Sequence, residues 1–241
     1  MKKILLIQFR TDITTSHEKD CFLKFFKGEK KIKLKIINAF DEKINFSDPE
    51  RFLKKTQGVI LGGSSQFYLS KLKEDKILKK IIKKISPLIK FIIKKDFPTL
   101  GICFGHQILG YFLGEKIIAD KNQAQTGSFL VFLTKKGKKS PLFLNLPPKF
   151  LAQFAHKDSL SNLPKGAELL AKTKKCKVAS FQYKNNIYGV QFHPELNYRD
   201  MIFRLKLYPE YLNKDLSKMK KKFTSTPLAS KIIKNFINKI C

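Results

Sequence analysis

Two short motifs in this chain carry the residue types that catalyse acyl transfer. Cys103 lies at the centre of a G-x-C-x-G pattern in residues 101–105, and residues 191–195 place His193 two positions before Glu195. A thiolate can attack a carbonyl carbon, an imidazole can move the proton, and a carboxylate can orient the imidazole. Together the two motifs predict a Cys-His-Glu catalytic triad.

The surroundings of Cys103 predict a side chain presented at the start of a helix. Residues 98–102 have strand character and residues 106–113 have helix character. The pattern is a cysteine version of the G-x-S-x-G nucleophile elbow, in which glycines permit a sharp strand-to-helix turn. A helix N-terminus favours the thiolate form. A lone cysteine is more often a small buried hydrophobe, but this context favours a nucleophile.

The second motif predicts a base with its orienting group. Side chains two positions apart in an extended segment point to the same side. Glu195 can therefore bind one ring nitrogen of His193 and leave the other facing Cys103. Without the elbow, a histidine at a strand end beside a solvated glutamate would be an equal interpretation.

An acyl-transfer site also needs donors for the oxyanion. The backbone N–H of Phe104, directly after the nucleophile, is the natural first donor. Gly63 follows the short apolar strand predicted for residues 58–61 and offers a second. A Gly-Gly pair after a strand is otherwise an ordinary tight turn.

Strands and helices alternate along the chain, which predicts an α/β fold with a mainly parallel central sheet flanked by helices. We interpret residues 1–241 as one domain, without a repeat or linker. Pro87 should kink or divide the long helix of residues 71–95, and residues 134–148 should form a surface loop. The other predicted strands are residues 3–9, 33–38, 129–133, 150–155, 168–171, 178–183 and 187–192, and the other predicted helices are residues 16–26 and 228–240.

The formal net charge of +30 raises the alternatives of a nucleic-acid or membrane partner. The excess is almost all lysine, spread along the chain, with only four arginines. Arginine is the preferred fork for phosphate and base contacts. We therefore predict a solvated lysine surface, without a specific nucleic-acid or membrane partner. Residues 218–222 are the best local candidate for nucleic-acid binding, and the long helix of residues 71–95 is the candidate for a membrane surface.

Cysteine usage and the N-terminus predict a cytoplasmic location. The four cysteines are scattered, without a C-x-x-C pair, which fits a reducing compartment. The apolar run after Met1 is too short for a signal peptide, and no segment approaches the length of a membrane span. The four histidines lack metal-ligand spacing and no phosphate-binding glycine pattern appears, so we predict neither a metal nor a cofactor.

Residues 101–107 and 191–195 together resemble the class I glutamine amidotransferase family, and in particular its stand-alone GMP-synthase-like members. Residues 155–158 and 163–167 resemble a further family segment. The resemblance implies that Cys103 attacks the side-chain amide of glutamine, that His193 is the base, and that Glu195 orients it. It also implies that Gln107 contacts the substrate and that Gly63 and Phe104 form the oxyanion hole. The segment around His156 would line the pocket without a catalytic role for its side chain, and His106 would be structural.

Two residues depart from the family pattern. Ser64 replaces the proline of a common Gly-Gly-Pro loop, and Lys157 replaces a glycine in the pocket segment. Because the sequence shows no P-loop or second catalytic domain, three interpretations stay open. The first is a glutaminase that supplies ammonia to a separate synthetase, the second is a hydrolase of γ-glutamyl compounds, and the third is a non-enzymatic lysine-rich binding protein.

Overall fold

A computed structural model of the chain describes residues 1–207 and 216–241. Within these residues, eleven strands form a central sheet and a small two-stranded sheet. The strands are β1 (Lys2–Gln8), β2 (Ile32–Asn38), β3 (Gly58–Leu61), β4 (Thr99–Ile102), β5 (Ile117–Ala119), β6 (Gln125–Leu133), β7 (Lys149–His156), β8 (Asp158–Leu160), β9 (Ala167–Lys172), β10 (Ser180–Tyr183) and β11 (Ile187–Val190).

The central sheet has a parallel half and an antiparallel half. Its spatial order is β2-β1-β3-β4-β11-β10-β9-β6-β7, and β5 pairs with β8 separately. The strands from β2 to β11 in this order are parallel, and the rest continue the sheet in antiparallel pairs. β3, β4 and β11 are buried along their whole length, as expected for parallel strands covered on both faces. The predicted α/β fold class is confirmed.

Helices cover both faces of the sheet. Alternate residues of β1 enter different cores, with Ile4 and Leu6 on one face and Leu5 and Ile7 on the other. The helices are α1 (Thr14–Leu23), α2 (Pro49–Leu53), α3 (Lys76–Lys95), α4 (Phe104–Phe112), α5 (Lys135–Lys139), α6 (Tyr198–Leu207), α7 (Leu216–Lys220) and α8 (Lys231–Asn235), and a π-helical turn (Phe236–Ile240) follows α8.

The long helix α3 differs from its prediction at the start, and of the two outcomes predicted for Pro87, a kink or a division, the structure excludes the division. It begins at Lys76 because the Asp75 side chain caps it, accepting from Leu78 N–H at 2.8 Å. Pro87 does not divide it, since buried side chains on both sides of the proline pack in one core. These buried residues are Leu78, Ile81, Ile82, Ile85, Leu88, Ile89 and Ile92. The apolar stripe therefore lies against the sheet, which is the ordinary alternative to a membrane-surface helix.

The surface loop predicted for residues 134–148 is wrong. α5 occupies part of it, and a short 3-10 helix (Pro141–Phe143) buries Leu142 and Phe143. Local capping explains the difference, because the Thr134 hydroxyl accepts from Gly137 N–H at 3.0 Å. The C-terminal helix begins at Lys231, three residues later than predicted.

In residues 1–207 and 216–241, no helix is both long and apolar enough to cross a membrane. That residues 1–241 form one domain stays a prediction.

Candidate active site

Cys103 occupies a strained turn between β4 and α4. Its backbone has φ 51° and ψ −99°, a conformation that costs about 1–3 kcal/mol for a residue with a side chain and that clusters at functional sites. The Cys103 N–H donates to the Val190 carbonyl at 2.8 Å, which fixes the turn to the end of β11. The geometry is that of the predicted nucleophile elbow.

The two glycines of the motif permit close backbone contacts. A Cβ on Gly105 would collide with the Leu61 carbonyl, and one on Gly101 would collide with the Gly105 carbonyl. The Gly105 N–H also donates to the Gly62 carbonyl at 3.1 Å. α4 therefore starts directly against the end of β3. This contact brings residues 62–65, which we call the glycine loop, beside Cys103.

His193 and Glu195 form a buried pair. Nδ1 of His193 donates to Oε1 of Glu195 at 2.7 Å, and both side chains are almost fully buried. Burial alone would lower the pKa of His193, but the charge of Glu195, with a contribution from Cys103, raises it to about 9. Burial alone would raise the pKa of Glu195, but the charge and hydrogen bond of His193 lower it. The pair is therefore an ion pair, and a side-chain hydrogen bond between His193 and Cys103 also contributes to the raised pKa of His193.

Burial holds the other buried imidazoles and thiols in their uncharged forms. Burial lowers the pKa of His106 to about 3 and that of His156 to about 4, so both rings are neutral near pH 7. Burial raises the pKa of three thiols to about 12, those of Cys21, Cys176 and Cys241. These thiols are protonated and inert.

Gly63 lies where the prediction places it, but its N–H already has an acceptor. A Cβ built on Gly63 would lie 3.1 Å from Cε1 of His193 and 3.8 Å from Cβ of Cys103. Its N–H donates to Oε1 of Glu18 at 3.2 Å. Phe104 is the first residue of α4, and N–H groups of a first helical turn have no intrahelical partner.

The Glu18 carboxylate is buried at the centre of a polar cluster behind the glycine loop. Nε of Arg10 lies 3.1 Å from Oε1 of Glu18, and Nε2 of Gln8 donates to Oε2 at 3.1 Å. The Arg10 guanidinium also donates to the Ser65 hydroxyl at 3.1 Å. The cluster therefore fixes both ends of the glycine loop, Gly63 through Glu18 and Ser65 through Arg10.

Two glutamines connect Cys103 to the pocket wall. Nε2 of Gln191 donates to the Cys103 sulfur at 3.7 Å, and Nε2 of Gln107 donates to Oε1 of Gln191 at 3.3 Å and to the Asp158 carbonyl at 2.8 Å. The cavity beside them has a volume of only about 10 Å³, room for about one water molecule. Its walls are Ser64, Phe67, Tyr68, Cys103, Gln107, Ala155, His156, Lys157 and Asp158.

Arg204 on α6 approaches Glu195 from behind. Its Nη1 lies 4.0 Å from Oε1 of Glu195, and its Nε donates to Nδ1 of His17 at 3.2 Å. The charge of Arg204 contributes to the lowered pKa of Glu195. Glu195 is thereby held ionised from two sides.

One cluster has the residue types of a metal site. Ligand atoms of His17, Cys21 and Asp200 lie within 4.8 Å of one another. Two cations already occupy these groups, since Lys24 lies 3.0 Å from Asp200 and Arg204 donates to His17. The cluster is therefore an ion-pair network rather than a fit for a further cation.

Comparison with known proteins identifies the family. A family model described as glutamine amidotransferase class-I matches residues 31–203. The chain belongs to the class I glutamine amidotransferase family. The predicted family and the predicted enzyme class are thereby confirmed.

Named relatives match this amidotransferase over part of their length. It is 39% identical over 108 residues to a glutamine-hydrolysing GMP synthase of Caldicellulosiruptor saccharolyticus, covering 44% of this chain and 20% of that protein. It is 31% identical over 144 residues to a glutamine-hydrolysing GMP synthase subunit of Methanocaldococcus jannaschii, covering 59% of this chain and 66% of that one. The chain thus spans less than two thirds of these relatives' own length.

A solved structure shares the fold of this amidotransferase. A glutamine amidotransferase from Thermotoga maritima superposes with a TM-score of 0.74 at 24% identity, covering 99% of this chain and 97% of that one. At this identity the likeness shows the fold.

The structure brings together Cys103, His193, Gly63, Phe104 and Gln107 around one point, with Glu195 behind His193. Sequence reasoning missed the contacts of other residues that support the site. Gln191 belongs to the second motif, and its position two residues before His193 could have indicated that it reaches the site. Glu18, Arg10 and Arg204 gave no local signal because they reach the site from other helices and strands. These four residues are buried.

We expect Glu18→Ala to destabilise the amidotransferase by about 3–5 kcal/mol, because it removes the carboxylate facing a buried arginine. Urea denaturation monitored by circular dichroism measures the change in the free energy of unfolding. The matched control is Glu42→Ala, whose carboxylate pairs with Lys80 while both side chains are exposed. Equal effects of the two substitutions would contradict a structural role for the Glu18–Arg10 pair.

Stability should depend on pH through His193. Because its folded pKa of about 9 lies above the ordinary 6.5, the stabilisation from the protonated ring is complete below about pH 6.5 and is lost as pH rises through about 9. Wild type should therefore lose stability relative to His193→Gln over this range, measured by urea denaturation at several pH values. His106 and His156 have lowered pKa values, so they titrate below this range. Parallel pH curves for wild type and variant would refute this assignment.

Proposed function

We propose that this chain hydrolyses the side-chain amide of glutamine through Cys103, His193 and Glu195. The Cys103 thiol has already given its proton to His193, which is protonated in its ion pair with Glu195. The sulfur attacks the amide carbon, and His193 gives that proton to the departing ammonia. A glutamyl thioester remains. Water then attacks the thioester while His193 accepts its proton, and return of that proton to the sulfur releases glutamate. The observation that supports this most directly is the strained backbone of Cys103 beside the buried His193–Glu195 ion pair.

The oxyanion of each tetrahedral intermediate would be bound by backbone N–H groups. Phe104 would supply one as the first residue of α4. Gly63 supplies the second once its N–H exchanges the Glu18 carboxylate for the oxyanion. Because a carboxylate and an oxyanion compete for the same donor, the oxyanion hole is complete only after that exchange.

Substrate entry requires the cavity to widen. A volume of about 10 Å³ does not admit glutamine, so either the wall of residues 64–68 or that of residues 155–158 must move. The ammonium of Lys157 lies 5.3 Å from the centre of the Tyr68 ring, which links the two walls by a cation–π contact. Gln107 would then contact the bound substrate from α4.

The ammonia acceptor would be a separate synthetase subunit. The relative from Methanocaldococcus jannaschii is named as one subunit of GMP synthase, which supports an acceptor of that kind. A cytoplasmic location stays a prediction. We infer no metal or cofactor for the glutaminase step. Specific nucleic-acid binding and membrane binding are not part of the proposal.

A glutamate-release assay tests the function. Purified wild type should turn over glutamine. The rate of glutamate release by Cys103→Ala should be at least about a thousandfold lower, because no nucleophile remains. γ-Glutamyl dipeptides are the second substrate set. A clear preference for dipeptides would mean that the substrate is a larger γ-glutamyl compound rather than glutamine. Equal turnover by Cys103→Ala would contradict the triad.

The two triad partners should differ in effect. His193→Ala removes the base and should lower kcat by about 10²–10⁴-fold. Glu195→Gln keeps a hydrogen-bond acceptor for His193 and should lower kcat less than His193→Ala does. Initial rates at saturating glutamine measure both. An equal or larger loss for Glu195→Gln would mean that the carboxylate charge matters more than ring orientation.

A further inference from the structure

A large open groove lies next to the closed substrate cavity. Its volume is about 1020 Å³, at the upper end of the range for small-molecule sites. We propose that this lysine-rimmed groove binds an acidic amphipathic helix of a partner protein. Its lining is Leu69, Ser70, Leu72, Lys73, Lys79, Ile82, Lys83, Ser86, Lys90, Tyr111, Phe112, Gly114, Glu115, Lys116, Ile117 and Ile118.

The floor of the groove is apolar and concave. Leu69 and Ile82 are only 4% and 7% exposed, so they lie at the bottom, whereas the Tyr111 ring is 39% exposed at the side. A flat membrane surface cannot reach a recessed floor. The apolar face of a helix can, and such a face presents side chains at positions i, i+3, i+4 and i+7.

The rim of the groove is positively charged. Five lysines and one glutamate line it, and the glutamate, Glu115, already accepts from the Lys116 N–H at 3.0 Å and from the Ser161 hydroxyl. Among residues 1–207 and 216–241, none of the five lysines forms an ion pair. A partner with carboxylates beside its apolar stripe would be complementary in charge.

The dimensions favour a helix over a small molecule. Lys79, Lys83 and Lys90 follow one stripe of α3, spanning about 16 Å at ~1.5 Å per residue. Lys73 and Lys116 come from other segments of the lining. A small-molecule site instead carries a few buried polar groups that fix one orientation. All five lysines of this groove are exposed.

One chain segment separates the groove from the substrate cavity. Residues 64–68 contribute walls of the cavity, and Leu69, Ser70 and Leu72 contribute walls of the groove. Both the N–H and the hydroxyl of Ser70 donate to the Asp158 carboxylate, at 2.8 and 2.7 Å, and Asp158 lines the cavity. A helix bound in the groove would therefore press on the segment that continues from residues 64–68, one of the two walls whose movement would admit glutamine. This step rests on the proposed function.

The binding experiment uses a labelled peptide of about twenty residues, with leucines at helical i, i+3, i+4 and i+7 positions flanked by glutamates. Fluorescence anisotropy measures its affinity for the full chain. We expect Lys79→Glu, Lys83→Glu and Lys90→Glu combined to weaken binding at least about tenfold. The matched control carries the same charge change at Lys135, Lys138 and Lys139 of α5. Circular dichroism checks that both variants are folded.

Three results would overturn the docking site. The first is an equal loss of binding in both triple variants, which would mean attraction to net charge alone. The second is equal affinity for a scrambled peptide of the same composition. The third is that laurate, or vesicles containing phosphatidylserine, bind in a manner dependent on Lys79, Lys83 and Lys90 while the peptide does not. Weaker peptide binding by Tyr111→Ala would support contact between the peptide and the apolar side of the groove.

Glutamate release in the presence of saturating peptide tests the link to the cavity. We expect kcat/KM for glutamine to rise severalfold in wild type and not in the Lys79, Lys83 and Lys90 variant. Binding without activation would overturn the link and support the docking site alone. Absence of any Cys103-dependent turnover would refute the proposed function. The anisotropy experiment would still show whether the groove binds the peptide.

Discussion

The candidate site depends on the close approach of α4 to the ends of β3 and β4. That approach requires a residue without a side chain at Gly105, because a Cβ there would collide with the Leu61 backbone. Directly before this contact the chain passes through a strained turn at Cys103. Strain of this size persists only where the surrounding structure determines the conformation. Here the buried parallel strands supply that constraint, since β4 pairs with β3 on one side and with β11 on the other.

Buried charges form a second layer behind this turn. Glu18 faces Arg10, and Glu195 faces His193 with Arg204 behind it. Charges buried away from water are costly unless they are paired and hydrogen bonded. Their value here is positional, because they tie helices α1 and α6 to the loop of Gly63 and to the ring of His193. A change in either helix would therefore reach the reacting groups through fixed polar contacts.

The sequence predicted the parts of the site that lie within short motifs. Cys103 and Phe104 follow one strand, and His193 and Glu195 follow another, so local spacing sufficed. The α/β alternation was equally readable, because β3, β4 and β11 are short apolar runs. Local spacing could not reveal the contact between Glu18 and Gly63, which joins residues 45 positions apart. It also could not show that Pro87 is tolerated inside α3, because that depends on packing against the sheet.

Two of the four arginines of this chain, Arg10 and Arg204, have a different role from its many lysines. Composition alone groups both residue types as surface charge, yet Arg10 and Arg204 are 1% and 7% exposed. Arg10 faces the Glu18 carboxylate on α1, and Arg204 faces the Glu195 carboxylate. A guanidinium offers five donors in a fixed planar arrangement, which an ammonium cannot supply. Arg10 and Arg204 therefore indicate positions where geometry matters, and their partners are buried carboxylates rather than nucleic-acid phosphates, whereas Arg51 and Arg199 are exposed.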